Sequence, residues 1–135
     1  MLSITPLYTA LLTLLFVVFS ALVIRCRLKC NQVIGDGGKD IMVRHMRAHA
    51  NFSEYIPLAL LLMLMLELGG TNSTTLHIMG IALIVGRISH FYSLTVKEPS
   101  SAKSGKMVII YRQIGMVLTF GCLLAGAITA INNYF

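Results

Sequence analysis

Arg47-Ala-His-Ala-Asn-Phe-Ser-Glu-Tyr-Ile-Pro57 runs without a loop signal into the apolar stretch Leu58 to Leu66. On a helix Arg47, Asn51, Glu54 and Tyr55 fall at i, i+4, i+7 and i+8, so they share one face. A charged side chain at membrane depth costs roughly 2.5–3.5 kcal/mol on insertion scales and is rarely kept without a partner or a function. The stretch therefore predicts a membrane-spanning helix that carries a polar site.

Working outward, the composition agrees with a bilayer. The chain has 135 residues, 56% hydrophobic and 12% charged, with a mean hydropathy of +0.80, whereas soluble domains carry about 25% charged residues. The net charge of +6 is not arranged as a basic stripe interleaved with aromatics, so nucleic acid is not an expected partner. Leu2 to Ile24 is 23 residues without a charge, enough to cross roughly 30 Å of hydrocarbon. It lacks a basic leading region and is too long for a signal-peptide core, so it reads as a retained first span. Cys26, Cys30 and Cys122 imply no disulfide framework. No further ligand completes a set around Cys26 and Cys30, and no metal site is expected.

Three polar breaks divide the chain into an all-α bundle of four spans, about residues 2–24, 40–68, 76–95 and 107–132 of a single membrane domain. Arg25 to Asp40 holds Arg25, Arg27, Lys29 and Lys39 with the turn-forming Gly35-Asp-Gly-Gly38. Gly69 to Thr75 holds no lysine or arginine, and Lys97 to Lys106 holds three lysines and Pro99. Excess cations mark the cytoplasmic loops. The first and third breaks are thus expected in the cytoplasm, with both termini outward. Gly115, Gly121 and Gly126 would let the fourth span approach its neighbours closely.

Depth can be counted from the outer loop. Glu54 precedes Glu67 by 13 residues, about 20 Å at 1.5 Å per residue. Arg87 follows Thr75 by 12, about 18 Å on the same rise. The two are at matching depth with opposite sign, and Arg47, His90 and Arg112 lie nearer the cytosol. One explanation is a structural ion pair in which Glu54 neutralises Arg87 while Asn51 and His90 satisfy leftover donors. The other is an anion-binding site, because cations exceed anions in this zone; snorkelling of Arg44 and Arg112 to lipid phosphates can absorb part of that excess.

At these residues the chain resembles the membrane-associated proteins in eicosanoid and glutathione metabolism, the MAPEG family. The resemblance rests on Arg47-x-His-x-Asn51-x-x-Glu54-Tyr55-x-Pro57 in the second span and Gly86-Arg87-x-x-His90-Phe91 in the third. Gly35-Asp-Gly-Gly38 and Tyr111-Arg-Gln-Ile-Gly-Met116 look like its small bacterial branch, which is related to the microsomal glutathione transferases. The resemblance implies a homotrimer in a bacterial inner membrane, with glutathione held between subunits near the cytoplasmic face. By that analogy Arg47, His49, Asn51, Glu54 and Tyr55 hold the tripeptide from the second span, and Arg87 and His90 approach it from the third. His49 matches a glutamine, and His90 a tyrosine, in the leukotriene-forming member. The arginine proposed to activate the thiol in the mammalian synthases aligns with Lys106 or, alternatively, Arg112.

The chemistry is compatible with that implication. Glutathione carries two carboxylates and one ammonium, which an arginine-rich site with a carboxylate complements. A nearby cation lowers the thiol pKa from its usual value of about 8.5. The expected activity is a glutathione transferase or peroxidase, conjugating or reducing lipophilic electrophiles that enter from the bilayer, with glutathione as co-substrate and membrane lipids as surroundings. The alternative is a non-catalytic lipid- or glutathione-binding membrane protein of the same fold. A small multidrug transporter is disfavoured, because Leu2 to Ile24 lacks the membrane glutamate such transporters use.

Overall fold

A computed structural model describes residues 3–103, 105 and 108–134, and these contain four helical runs long and apolar enough to cross a membrane. The elements are α1 (Ile4–Cys30), α2 (Asp40–Leu68), α3 (Ser73–Tyr92), a π-helical segment (Ser93–Lys97), α4 (Glu98–Lys103) and α5 (Ile110–Tyr134). No strand occurs among the described residues. The protein is an all-α four-helix membrane bundle.

Each terminus has a local cause. α1 runs past the apolar stretch to Cys30, with Arg27 and Lys29 complementing the helix dipole in its last turn. It stops at Asn31, which adopts the left-handed conformation (φ 49°) and is one of the few residue types that tolerates it. Arg27 then donates to the carbonyls of Val33 and Gly35 at 3.3 and 3.0 Å, folding the basic loop back on the helix. α3 starts at Asn72, whose side chain accepts the Thr75 N–H at 2.9 Å. α1 has a remote cap: the Glu67 carboxylate near the end of α2 accepts the N–H groups of Ser3, Ile4 and Thr5 at 2.7, 2.9 and 2.7 Å. Those donors have no intrahelical partner, so this side chain both caps α1 and ties it to α2.

Packing pairs α1 with α2 and, most extensively, α3 with α5. Leu12, Met63, Leu66, Leu76 and Leu83 are closed off in the centre, and Phe19 stacks on Phe91 with ring centroids 3.9 Å apart. Leu14, Val17, Ile78, Val117 and Leu124 are exposed, as expected of helices that are apolar on every side and face lipid.

The third span departs from the expected end near residue 95. The chain remains helical to Lys103, first through the π segment, in which the Glu98 N–H bonds to the Ser93 carbonyl, and then through α4. Pro99 is the second residue of α4 and lies just past the π turn, and the helical run passes through it and the polar residues Lys97 to Lys103.

Candidate functional site

The site is built around the crossing of α3 and α5. Gly86 and Gly115 meet there: a Cβ on Gly115 would stand 2.6 Å from the Gly86 carbonyl oxygen and 2.8 Å from the His90 Cβ. Only a bare backbone fits. This close approach puts the Gly115 carbonyl 3.1 Å from the Arg87 guanidinium. The Thr119 hydroxyl, one turn further on, accepts from the same nitrogen, and Asn51 on α2 accepts from the other.

Arg87 is thus a cation at 1% exposure held only by neutral acceptors. Its Nε has no hydrogen-bond partner, and the ion pairs among the described residues do not include it. The Tyr55 ring lies beneath it, 5.8 Å from centroid to guanidinium carbon, and packs edge-on against Phe120. The ion pair with Glu54, one of the two explanations the sequence leaves open, does not form. Glu54 faces Arg47 on its own helix, at 3.7 Å, and both are substantially exposed. Matching depth did not make a pair because Asn51, not Glu54, is the α2 side chain aimed at α3.

Beside Arg87, a cavity of about 240 Å³ is lined by Arg47, Asn51, His90, Leu94 and Arg112. Four of the expected site residues therefore converge from α2, α3 and α5. Arg87 backs the cavity through Asn51, and Glu54 and Tyr55 flank it on α2. His49 stands apart. Two residues beyond Arg47, it points toward α1, where Nε2 is 2.9 Å from the Ser20 hydroxyl and the ring lies on Phe16. Lys106 lies outside the described residues.

Sequence reasoning missed Glu98. Its carboxylate is 2% exposed, and one oxygen takes both Arg44 from α2 at 3.2 Å and Arg112 from α5 at 3.4 Å. The Ser93 hydroxyl donates to the other oxygen at 3.1 Å. Arg44 also pairs with Asp40 at 2.6 Å, one turn back on α2. The only sequence signal was an acidic residue before Pro99 in an otherwise basic stretch. Among the described residues no group of His, Cys, Asp and Glu is arranged to hold a metal ion.

The MAPEG family model matches residues 5–132, nearly the whole chain. The chain is also similar to inner membrane protein YecN from two strains of Escherichia coli, at 40% identity over 89 residues, covering 66% of this chain and 68% of the relative in each case. The family match contains the α2, α3 and α5 residues that line the cavity, and the chain belongs to the MAPEG family.

Proposed function

We propose that the protein is a glutathione-binding enzyme of a bacterial inner membrane, a transferase or peroxidase acting on lipophilic electrophiles. The observation that carries this is Arg87, a buried cation without a carboxylate, standing behind an arginine-lined cavity. A buried charge with no counter-ion is costly, and an anionic ligand in the adjoining cavity supplies the missing negative potential. Arg47 and Arg112 offer planar forks for the glutathione carboxylates, and Glu54 beside Arg47 can take the ammonium. The site faces the cytoplasm, both termini face outward, and three copies place the cavity against a neighbouring subunit.

The chemistry then needs a thiolate. A cation beside the sulfur favours ionisation at neutral pH, with Arg112 the candidate on α5 and Lys106 the candidate in the preceding linker. The thiolate adds to a lipophilic electrophile arriving from the bilayer and forms a thioether. Alternatively it attacks the terminal oxygen of a lipid hydroperoxide; the O–O bond breaks and the alkoxide leaves as the alcohol once protonated. A second glutathione then condenses with the resulting sulfenic acid to give the disulfide and water. Arg112 is already engaged by Glu98, which favours a second reading, a glutathione- or lipid-binding protein without turnover.

Calorimetric titration of detergent-purified protein with glutathione tests the binding site. Saturable wild-type binding that is lost in Arg47→Ala and weakened in Glu54→Gln is the expected result. Absence of wild-type binding overturns it. Turnover with broad electrophiles, together with thiolate absorbance of the bound tripeptide, separates the enzyme from the non-catalytic binder.

A further inference from the structure

Glu98 reaches its buried position because the helix changes pitch just before it. A π turn closes an i→i+5 ring and takes up one residue more than an α turn, here between Ser93 and Glu98. That extra residue rotates the downstream side chains by roughly 100°, one residue's step around a helix of 3.6 residues per turn. Glu98 consequently occupies the angular slot, in line with His90 and Leu94, that an uninterrupted helix would give to Lys97. A carboxylate replaces an ammonium at the inner end of the cavity, and Ser93, itself fully buried, fixes its orientation.

The charges around the cavity can then be read as a set. Arg44, Arg47 and Arg112 pair with Asp40, Glu54 and Glu98, while Arg87 has only neutral acceptors, so four guanidiniums stand against three carboxylates. A single positive charge is left over. Resting on the glutathione reading above, we infer that Glu98 is a specificity-determining residue, an internal counter-ion that competes with the ligand for Arg112 and sets how much negative charge the cavity accepts. With Glu98 ionised, the surplus balances glutathione in its thiol form, whose net charge is one negative. Without it, the surplus balances a dianion such as the thiolate form. Glu98 touches no ligand itself; it acts through Arg112, which lines the cavity and holds the carboxylate at the same time.

Two probes of fixed charge test this: S-methylglutathione, with one net negative charge, and glutathione sulfonate, with two. Glu98→Gln keeps an oxygen acceptor for Arg112 and removes only the charge. The expected result is a rise of about tenfold in the affinity ratio of sulfonate over S-methyl probe, since one unit charge a few ångströms behind Arg112 is withdrawn, and the rise shrinks with salt. Because Glu98→Gln takes a carboxylate from both Arg44 and Arg112, the same ratio is measured in Arg44→Gln/Glu98→Gln against Arg44→Gln alone, where the rise is also expected. A ratio that is unchanged or lower in both comparisons means Glu98 only staples α2 to α5, and overturns this inference while leaving the glutathione reading intact. A wild type that binds neither probe overturns both.

Discussion

Arg87 gives the sharpest test, because a structural cation and a ligand-serving cation respond oppositely to removal of the charge. Arg87→Met keeps the length of the aliphatic stem and deletes the guanidinium. Three hydrogen bonds go with it, to Asn51, Gly115 and Thr119, each worth roughly 1.5–3 kcal/mol when the donor is charged. Against that loss stands the desolvation of a cation at 1% exposure, still several kcal/mol after relaxation, and replacement of buried charges by well-packed apolar groups is often neutral or stabilising by about 1–4 kcal/mol. The deserted acceptors are also only partly orphaned, since the Thr119 hydroxyl continues to donate to the Gly115 carbonyl at 2.9 Å. The two sides nearly cancel. The ligand-free variant should unfold within about 2 kcal/mol of wild type, measured by titration of dodecyl sulfate into mixed micelles and followed by far-ultraviolet circular dichroism. Glutathione affinity, in contrast, should fall roughly ten- to hundredfold with the loss of a charge-assisted contribution. Destabilisation beyond about 4 kcal/mol, of the size seen when one partner of a buried ion pair is removed, would refute the reasoning. So would binding equal to that of wild type.

Two further perturbations address the scaffold. Glu67→Ala strips the cap from α1 and leaves the N–H groups of Ser3, Ile4 and Thr5 without their acceptor; a loss of about 1–3 kcal/mol in the same unfolding titration, with glutathione binding intact, is expected. Gly115→Ala drives a Cβ into the Gly86 carbonyl and the His90 Cβ. It should destabilise by about 1–3 kcal/mol and lower glutathione affinity, whereas Gly121→Ala, with open space around its Cβ position, should change neither measurement.

Much of the architecture was legible because hydrophobicity along a membrane chain is written over twenty residues at a time. α2 begins and ends where Asp40 and the Gly69-Gly70 turn place it, and the shared face of Arg47 and Asn51 survives as cavity lining. Polar continuations of helices were harder to read. The tail of α1 and the whole of α4 are helical despite their charges, since a helix end that projects from the bilayer needs no apolar surface. Pairing was least legible. Glu54 and Arg87 match in depth and are opposite in sign, but depth is a single coordinate, and the rotation of α2 decides that Asn51 meets Arg87. His49 follows the same rule, for it lies two residues from Arg47 and so belongs to the α1 side. Glu98 was hidden because its direction depends on a π turn, and no composition or period in Ser93 to Lys97 announces one.

The π turn also explains why the site needs both a glycine crossing and an irregular helix. Gly86 and Gly115 bring α3 and α5 so close that Arg87 can reach backbone and hydroxyl oxygens of α5 directly. An uninterrupted α-helix beyond Tyr92 would turn Lys97, not Glu98, toward Arg112. By turning Glu98 inward, the π segment ties the far ends of α2 and α5 to one oxygen, and the cavity lies between this tie and the glycine contact. Tight packing at one level and a charged tie at the next frame this polar pocket. The spacing of the pocket therefore depends on Glu98 as much as its charge does, and a shorter acid should separate the two. Glu98→Asp retains the charge but withdraws it by one methylene, so the preference between singly and doubly charged glutathione analogues should stay within about twofold of wild type while affinity for both falls together.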